Sequence, residues 1–290
     1  MLAALLCVIF TTGCRSFHRE QSCRDLIHAR ELTYSGIHAE QSGQSRKAEN
    51  LFSRAVTMCP DDEDARIKYA EVLSARGAYG EAIAHMQEAL RISQGDPLIA
   101  VRLAEMHYQN KEYGPAEKVA DEALRVNRKL ASAWALKGRV AAVRQQNDQA
   151  LTYYLRALTH QPEYPEVQLE LARTYMDMGK QARALSNLDL LAQNFPRGEE
   201  PESIMLMHST ALASLGRYQD AVDELAILVQ RPDASADVWF AYGNTLALAG
   251  DSVNARLVLQ RASSQFPQDS RIAQTLANLK SSSLPVTMIR

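Results

Sequence analysis

An alanine recurs along this chain at almost constant spacing, at Ala48, Ala82, Ala116, Ala150, Ala184, Ala221 and Ala255. The steps are 34, 34, 34, 34, 37 and 34 residues. A period of that size marks an array of small supersecondary units. Each unit is too small to bury its own apolar face and covers it by stacking on its neighbours. The period overrides the prior that 290 residues form about two ordinary domains. The clearest copy is Ala131–Pro162, marked by Trp134, Gly138, Ala150, Tyr154, Ala157 and Pro162.

Within a copy the apolar spacing is helical. In the second, Ile67, Ala70, Leu73 and Ser74 share one helix face, and Ala82, Ile83, Met86, Ala89 and Leu90 share another. Gly77 between them can adopt a left-handed conformation and end the first helix. In the third copy Pro97 and Pro115 take the first helical position, where a missing N–H costs nothing. Pro60, Pro162, Pro196 and Pro267 end the second helices.

The pattern resembles the tetratricopeptide repeat, a helix–turn–helix with aromatic, small, alanine, aromatic, alanine and proline positions in fixed order. The resemblance covers about Ala29–Pro267. It implies an all-α fold: an α-α superhelix (solenoid) of about seven repeats, at 29–62, 63–96, 97–130, 131–164, 165–201, 202–235 and 236–269. A lead-in at 15–28 precedes them. A capping helix at 270–280, with Ile272, Leu276 and Leu279 on one side, and a tail at 281–290 follow. The three extra residues near 197–201 read either as a longer surface loop or as a kink that splits the array into five repeats and two. Lys137 stands where the family prefers leucine, so Leu136 is expected to cover that side.

The start of the chain has a different character. Leu2–Phe10 is apolar throughout but too short to span a bilayer, which needs about 20 residues. It suits the core of a secretion signal. Thr11-Thr12-Gly13-Cys14 follows and resembles the lipobox of bacterial lipoproteins, which implies a signal segment at 1–14 and lipidation of Cys14. A cytoplasmic interaction module is the alternative. Cys23 and Cys59 would remain in an oxidising compartment. Placed in an antiparallel hairpin, they either pair with local adjustment or stay separate, half-buried thiols.

With 32 basic and 34 acidic residues, the chain lacks the basic stripe that nucleic-acid binding needs. No nucleophile–base motif, metal-ligand spacing or phosphate loop is present, so neither catalysis nor a cofactor or metal is expected. His208, on an apolar helix face, reads as a packed core histidine.

Binding is the expected activity. In tetratricopeptide arrays the second, fifth, ninth and twelfth positions of each first helix face a concave groove. Carried onto this sequence, they are Arg30, Thr33, Ile37 and Glu40 in the first repeat, and Asp64, Ile67 and Glu71 in the second. Val101, Glu105 and Tyr108 follow in the third, Arg139 in the fourth, and Leu169, Arg173 and Met176 in the fifth. Leu206 and Thr210 come from the sixth, Phe240 and Asn244 from the seventh. Acids lie early and bases mid-array, a bipolar groove suited to an extended peptide or protein segment, with Tyr108, Met176 and Phe240 as anchors. The resemblance therefore implies a non-catalytic scaffold, attached to a membrane through lipid alone. An accessory partner of a transferase is a further alternative.

Overall fold

The computed structural model describes Cys23, residues 25–196 and residues 199–281. The signal segment, Cys14, Arg197-Gly198 of the insertion and residues 282–290 lie outside the described residues. Among those described there are helices and turns but no strand.

The helices alternate as first (A) and second (B) members of hairpins. They are α1 (Leu26–Gln41) and α2 (Ser45–Met58), α3 (Glu63–Ala75) and α4 (Tyr79–Ile92), α5 (Pro97–Gln109) and α6 (Tyr113–Val126). Then come α7 (Ala131–Val143) and α8 (Asn147–His160), α9 (Pro165–Asp177) and α10 (Gln181–Ala192), α11 (Glu202–Ser214) and α12 (Tyr218–Leu228). The last are α13 (Ala236–Leu248), α14 (Ser252–Gln265) and the closing helix α15 (Ser270–Ser281). The A helix α1 begins at Leu26, ahead of the position the repeat boundary suggests, with its first turn held by Leu26 N–H on the Cys23 carbonyl.

The contacts fall into two compact units that divide between Arg144 and Gln145. The N-terminal unit holds α1–α7 and the C-terminal unit α8–α15. Within each unit, a B helix packs against the A helices of that unit that precede and follow it. The division does not fall at residues 197–201, expected from the sequence as a longer surface loop or as a kink. There α10 packs directly on α11, and Arg231 donates to the Glu200 carbonyl at 2.8 Å.

All seven periodic alanines are completely buried. Four residues further along each B helix stand Phe52, Met86, Ala120, Tyr154, Leu188, Leu225 and Leu259, each at most 1% exposed. This one-sided stripe is the core, since residues four apart lie on the same helix face. It fills by exchange of volume. Where Ala104 and Ala120 are both small, Leu136 of the following helix packs against them. Where Gly36 leaves room, the Phe52 ring takes it, and a Cβ at Gly36 would lie 2.5 Å from that ring. Lys137 does not displace Leu136, which is fully buried; its ammonium instead pairs with Asp121 of α6.

The turns follow one geometry. Gly77 has φ +84°, and the N–H of Ala78 reaches back to the Leu73 carbonyl at 2.9 Å. This is the left-handed helix ending in which the sixth residue donates to the first. The equivalent positions in the third and fourth repeats are Lys111 and Gln145, both at φ +61°, so the conformation is imposed even where no glycine supplies it.

Cys23 and Cys59 form a disulfide, with their Cα atoms 4.8 Å apart. It fastens the segment before α1 to the residue that ends α2.

Candidate partner-binding groove

In the N-terminal unit the A helices α1, α3 and α5 border a cleft of about 690 Å³. Five of the predicted groove residues line it: Arg30, Thr33, Ile37, Asp64 and Ile67. Arg30 and Asp64 are exposed, Ile37 is half-buried, and Thr33 and Ile67 belong to its buried floor. Thr33 donates to the Ala29 carbonyl within its own helix. Glu40, at the end of α1, is exposed and does not line this cleft.

A second cleft of about 560 Å³ lies along α3 and α5, and Glu71, Val101 and Glu105 line it. The charges here are matched between neighbours. Glu71 accepts from Lys68 at 2.7 Å and from Arg102 of the following A helix at 2.8 Å. Glu105 meets Arg139 of α7 at 2.7 Å, and the Arg139 guanidinium also stands 5.5 Å from the Tyr108 ring centre. Tyr108 packs against Tyr113 as well, at 5.6 Å. The expectation of separate acidic and basic poles is therefore corrected. Stacked A helices bring Glu105 and Arg139 together, and opposite charges at that distance neutralise each other.

In the C-terminal unit the predicted positions are less open. Leu169 and Met176 are half-buried against the core of α9–α11. Arg173 is exposed and 3.4 Å from Glu170 of its own helix. Leu206 is half-buried, Thr210 donates to the Leu206 carbonyl, and Asn244 is half-buried on α13. The Phe240 ring lies under the Arg271 guanidinium of α15, at 5.1 Å. Arg271 also holds Asp237 and Asp269, each at 2.6 Å, so the closing helix covers this anchor.

A cleft of this unit lies away from these positions. It measures about 400 Å³ between α10, α11 and α12, with Phe195, Ile204, Met205 and Ile227 among its walls. His208 sits in it, its Nε2 2.9 Å from Asp189 and its Nδ1 2.9 Å from Glu224. The reading of His208 as a core histidine is corrected, since it clamps two B helices through carboxylates. Burial alone would lower its pKa, but hydrogen bonds to Glu224 and Asp189 outweigh burial and raise it. Nothing in the local sequence signals this, because Asp189 lies in the repeat before and Glu224 on the other helix of the same repeat. Among the described residues no group of three or more histidine, cysteine and carboxylate side chains is placed to hold a metal, and no helix is long and apolar enough to cross a membrane.

Comparison with known proteins gives a consistent picture. Two tetratricopeptide repeat profiles match, one at 73–140 and 144–205, the other at 35–97 and 206–270. No curated protein matches the chain in sequence. Among solved structures, a tetratricopeptide repeat protein from Parabacteroides merdae ATCC 43184 is similar at 15% identity and TM-score 0.65, over 87% of this chain and 98% of that one. PilW, described as a widely conserved type IV pilus biogenesis factor, is similar at 21% identity and TM-score 0.63, over 72% of this chain and 96% of its own. YrrB, described as having an unusual peptide-binding site, gives 18% and 0.54, over 66% and 96%. These likenesses concern the fold. With the period, the helix hairpins and the matched profiles together, this chain belongs to the tetratricopeptide repeat family.

Proposed function

We propose that the chain is a non-catalytic scaffold that holds an extended segment of a partner protein along its A helices, and that it works at a bacterial envelope, tethered by lipid on Cys14. The observation that carries the binding half is the 690 Å³ cleft of the N-terminal unit, where polar and apolar side chains from successive A helices stand open. Ligand clefts are commonly about 300–1,000 Å³ with a few placed polar groups. A peptide-binding site is reported for YrrB, and PilW serves pilus biogenesis; both share this fold, and the role is carried over by analogy alone.

The envelope half rests on the sequence of the first 14 residues. A single lipid group holds a protein only marginally, whereas several chains on one cysteine make a stable anchor. Metabolic labelling with a radioactive fatty acid tests it. Wild type is expected to take up label and Cys14→Ser is not; an unlabelled wild type removes the anchor and leaves the cytoplasmic alternative. The binding half is tested by photo-crosslinkers placed singly at Ile37, in the cleft, and at Arg54, on an exposed B-helix position. Equal yields of partner adducts at both positions would overturn the groove reading.

A further inference from the structure

We propose that the N-terminal cleft recognises a basic side chain: it takes a lysine or arginine of the partner segment, its charged end against Asp62, Glu63, Asp64 and Asp96 and its stem along Tyr34 and Leu98. This deepens the scaffold reading and rests on it.

Charge balance comes first. Four carboxylates line the cleft, from the start of α3 and the residue before α5. None makes an ion pair with a basic side chain among the described residues. Lys68 and Arg102 line the same cleft, yet both reach Glu71 instead, at 2.7 and 2.8 Å. Among the described residues, Arg30, across the cleft on α1, is then the one base lining it without an acidic partner. An excess of acid faces the open space.

Asp62 adds an independent observation. It is only 7% exposed. One carboxylate oxygen accepts from the Ala65 N–H at 3.3 Å and caps α3; the other is buried with no hydrogen-bond partner. A buried acceptor without a donor is costly and rare in folded proteins. An ammonium or guanidinium entering the cleft supplies that donor as a charge-assisted bond.

Acids at helix starts have an ordinary explanation, since they favour the positive end of the helix dipole. That accounts for an acid or two at each end. It does not account for the crowding of two helix ends at one opening, where burial and then Asp64, Asp96 and Asp62 together push the Glu63 pKa up. The apolar neighbours fit the same ligand. Tyr34 is 71% exposed and Leu98 57% exposed, large apolar surface beside a polar wall. Lysine and arginine lay their methylene stems on such surface, and a cation also gains from an aromatic face.

The test is selection from a random heptapeptide library on the full chain, with wild type compared to Asp62→Asn/Asp64→Asn. Asparagine keeps the capping acceptor, so the helix start survives. Glu63→Gln, outside the cap, is the second variant, and thermal melts followed by circular dichroism verify folding. Lysine and arginine are expected to be enriched several-fold at one or two peptide positions on wild type and not on the variants. A resynthesised peptide is expected to bind wild type about tenfold more tightly than either variant, with the gap closing at about 0.5 M salt as charges are screened. Peptides enriched without basic residues, or enrichment that survives both variants, would overturn the basic site and leave the scaffold reading standing. If no peptide of any charge is enriched, both readings fail together.

Discussion

A methyl group added at Gly243 would sit 2.5 Å from Cγ of Leu259, a side chain with no exposure at all. Neither can move without displacing the core. Gly243→Ala is therefore expected to destabilise the C-terminal unit by about 1–3 kcal/mol through overpacking, read as a lower denaturation midpoint. Leu259→Ala in the same background is expected to relieve part of it. The turn residues make a different argument. Gly77 has open space around it, so Gly77→Ala tests backbone strain alone, about 1 kcal/mol unfavourable at positive φ. Lys111 already bears such strain at φ +61°. Lys111→Gly is expected to raise the midpoint even though glycine gains freedom when unfolded, because relief of the left-handed penalty exceeds that entropy. A lowered midpoint would show that the Lys111 side chain contributes more than its backbone costs.

Two features bind whole helices. The Cys23–Cys59 bridge closes a separation of 36 residues around the α1–α2 hairpin. Chain-entropy arguments put such a cross-link at about 3–4 kcal/mol. Reduction, or Cys23→Ser/Cys59→Ser, is expected to expose α1 to limited proteolysis well before α3–α5. The second feature is the His208 clamp across α10, α11 and α12. Its pKa is raised in the folded chain, so its contribution is complete below the ordinary histidine value of about 6.5 and is lost as pH rises through the raised value. The melting-temperature gap between wild type and His208→Gln is expected to be widest near pH 6 and to narrow above neutrality. A gap that is constant with pH would show that the imidazole acts by packing, not charge. Helix placement was legible because the period fixes it: the A helices of the second to fifth repeats begin at Glu63, Pro97, Ala131 and Pro165. The pairing partners were not legible. Whether Glu105 reaches Arg139 depends on how far one A helix slides along the next, and no single repeat encodes that.

At the level of the whole chain, the core stripe could be read and the exposed face could not. A buried position tolerates only certain volumes, so its residue type betrays it; an exposed one tolerates nearly anything. Hence the alanines announce the fold, while Tyr108 and Phe240, expected as peptide anchors, lie under Arg139 and Arg271. The Glu105–Arg139 contact has a consequence for how such a chain can change its length. Glu71 stands at the same place in the second repeat as Glu105 in the third, since 71 + 34 = 105. Excision of residues 97–130 would set Glu71, not Glu105, immediately before Arg139. At that position the junction would heal with an acid facing a base, but Lys137 would lose Asp121, and the second repeat offers Gln87 in its place, since 121 − 34 = 87. Such a shortened chain is expected to keep the ion pair, worth about 0.2–1 kcal/mol, but Arg139→Ala is expected to cost it less than the parent, because Ser74 replaces the Tyr108 ring under the guanidinium. Loss of this module is therefore silent for Arg139 but not for Lys137, whose largely buried ammonium loses that acid, so the number of repeats is free to vary only where every cross-repeat pair recurs with the period.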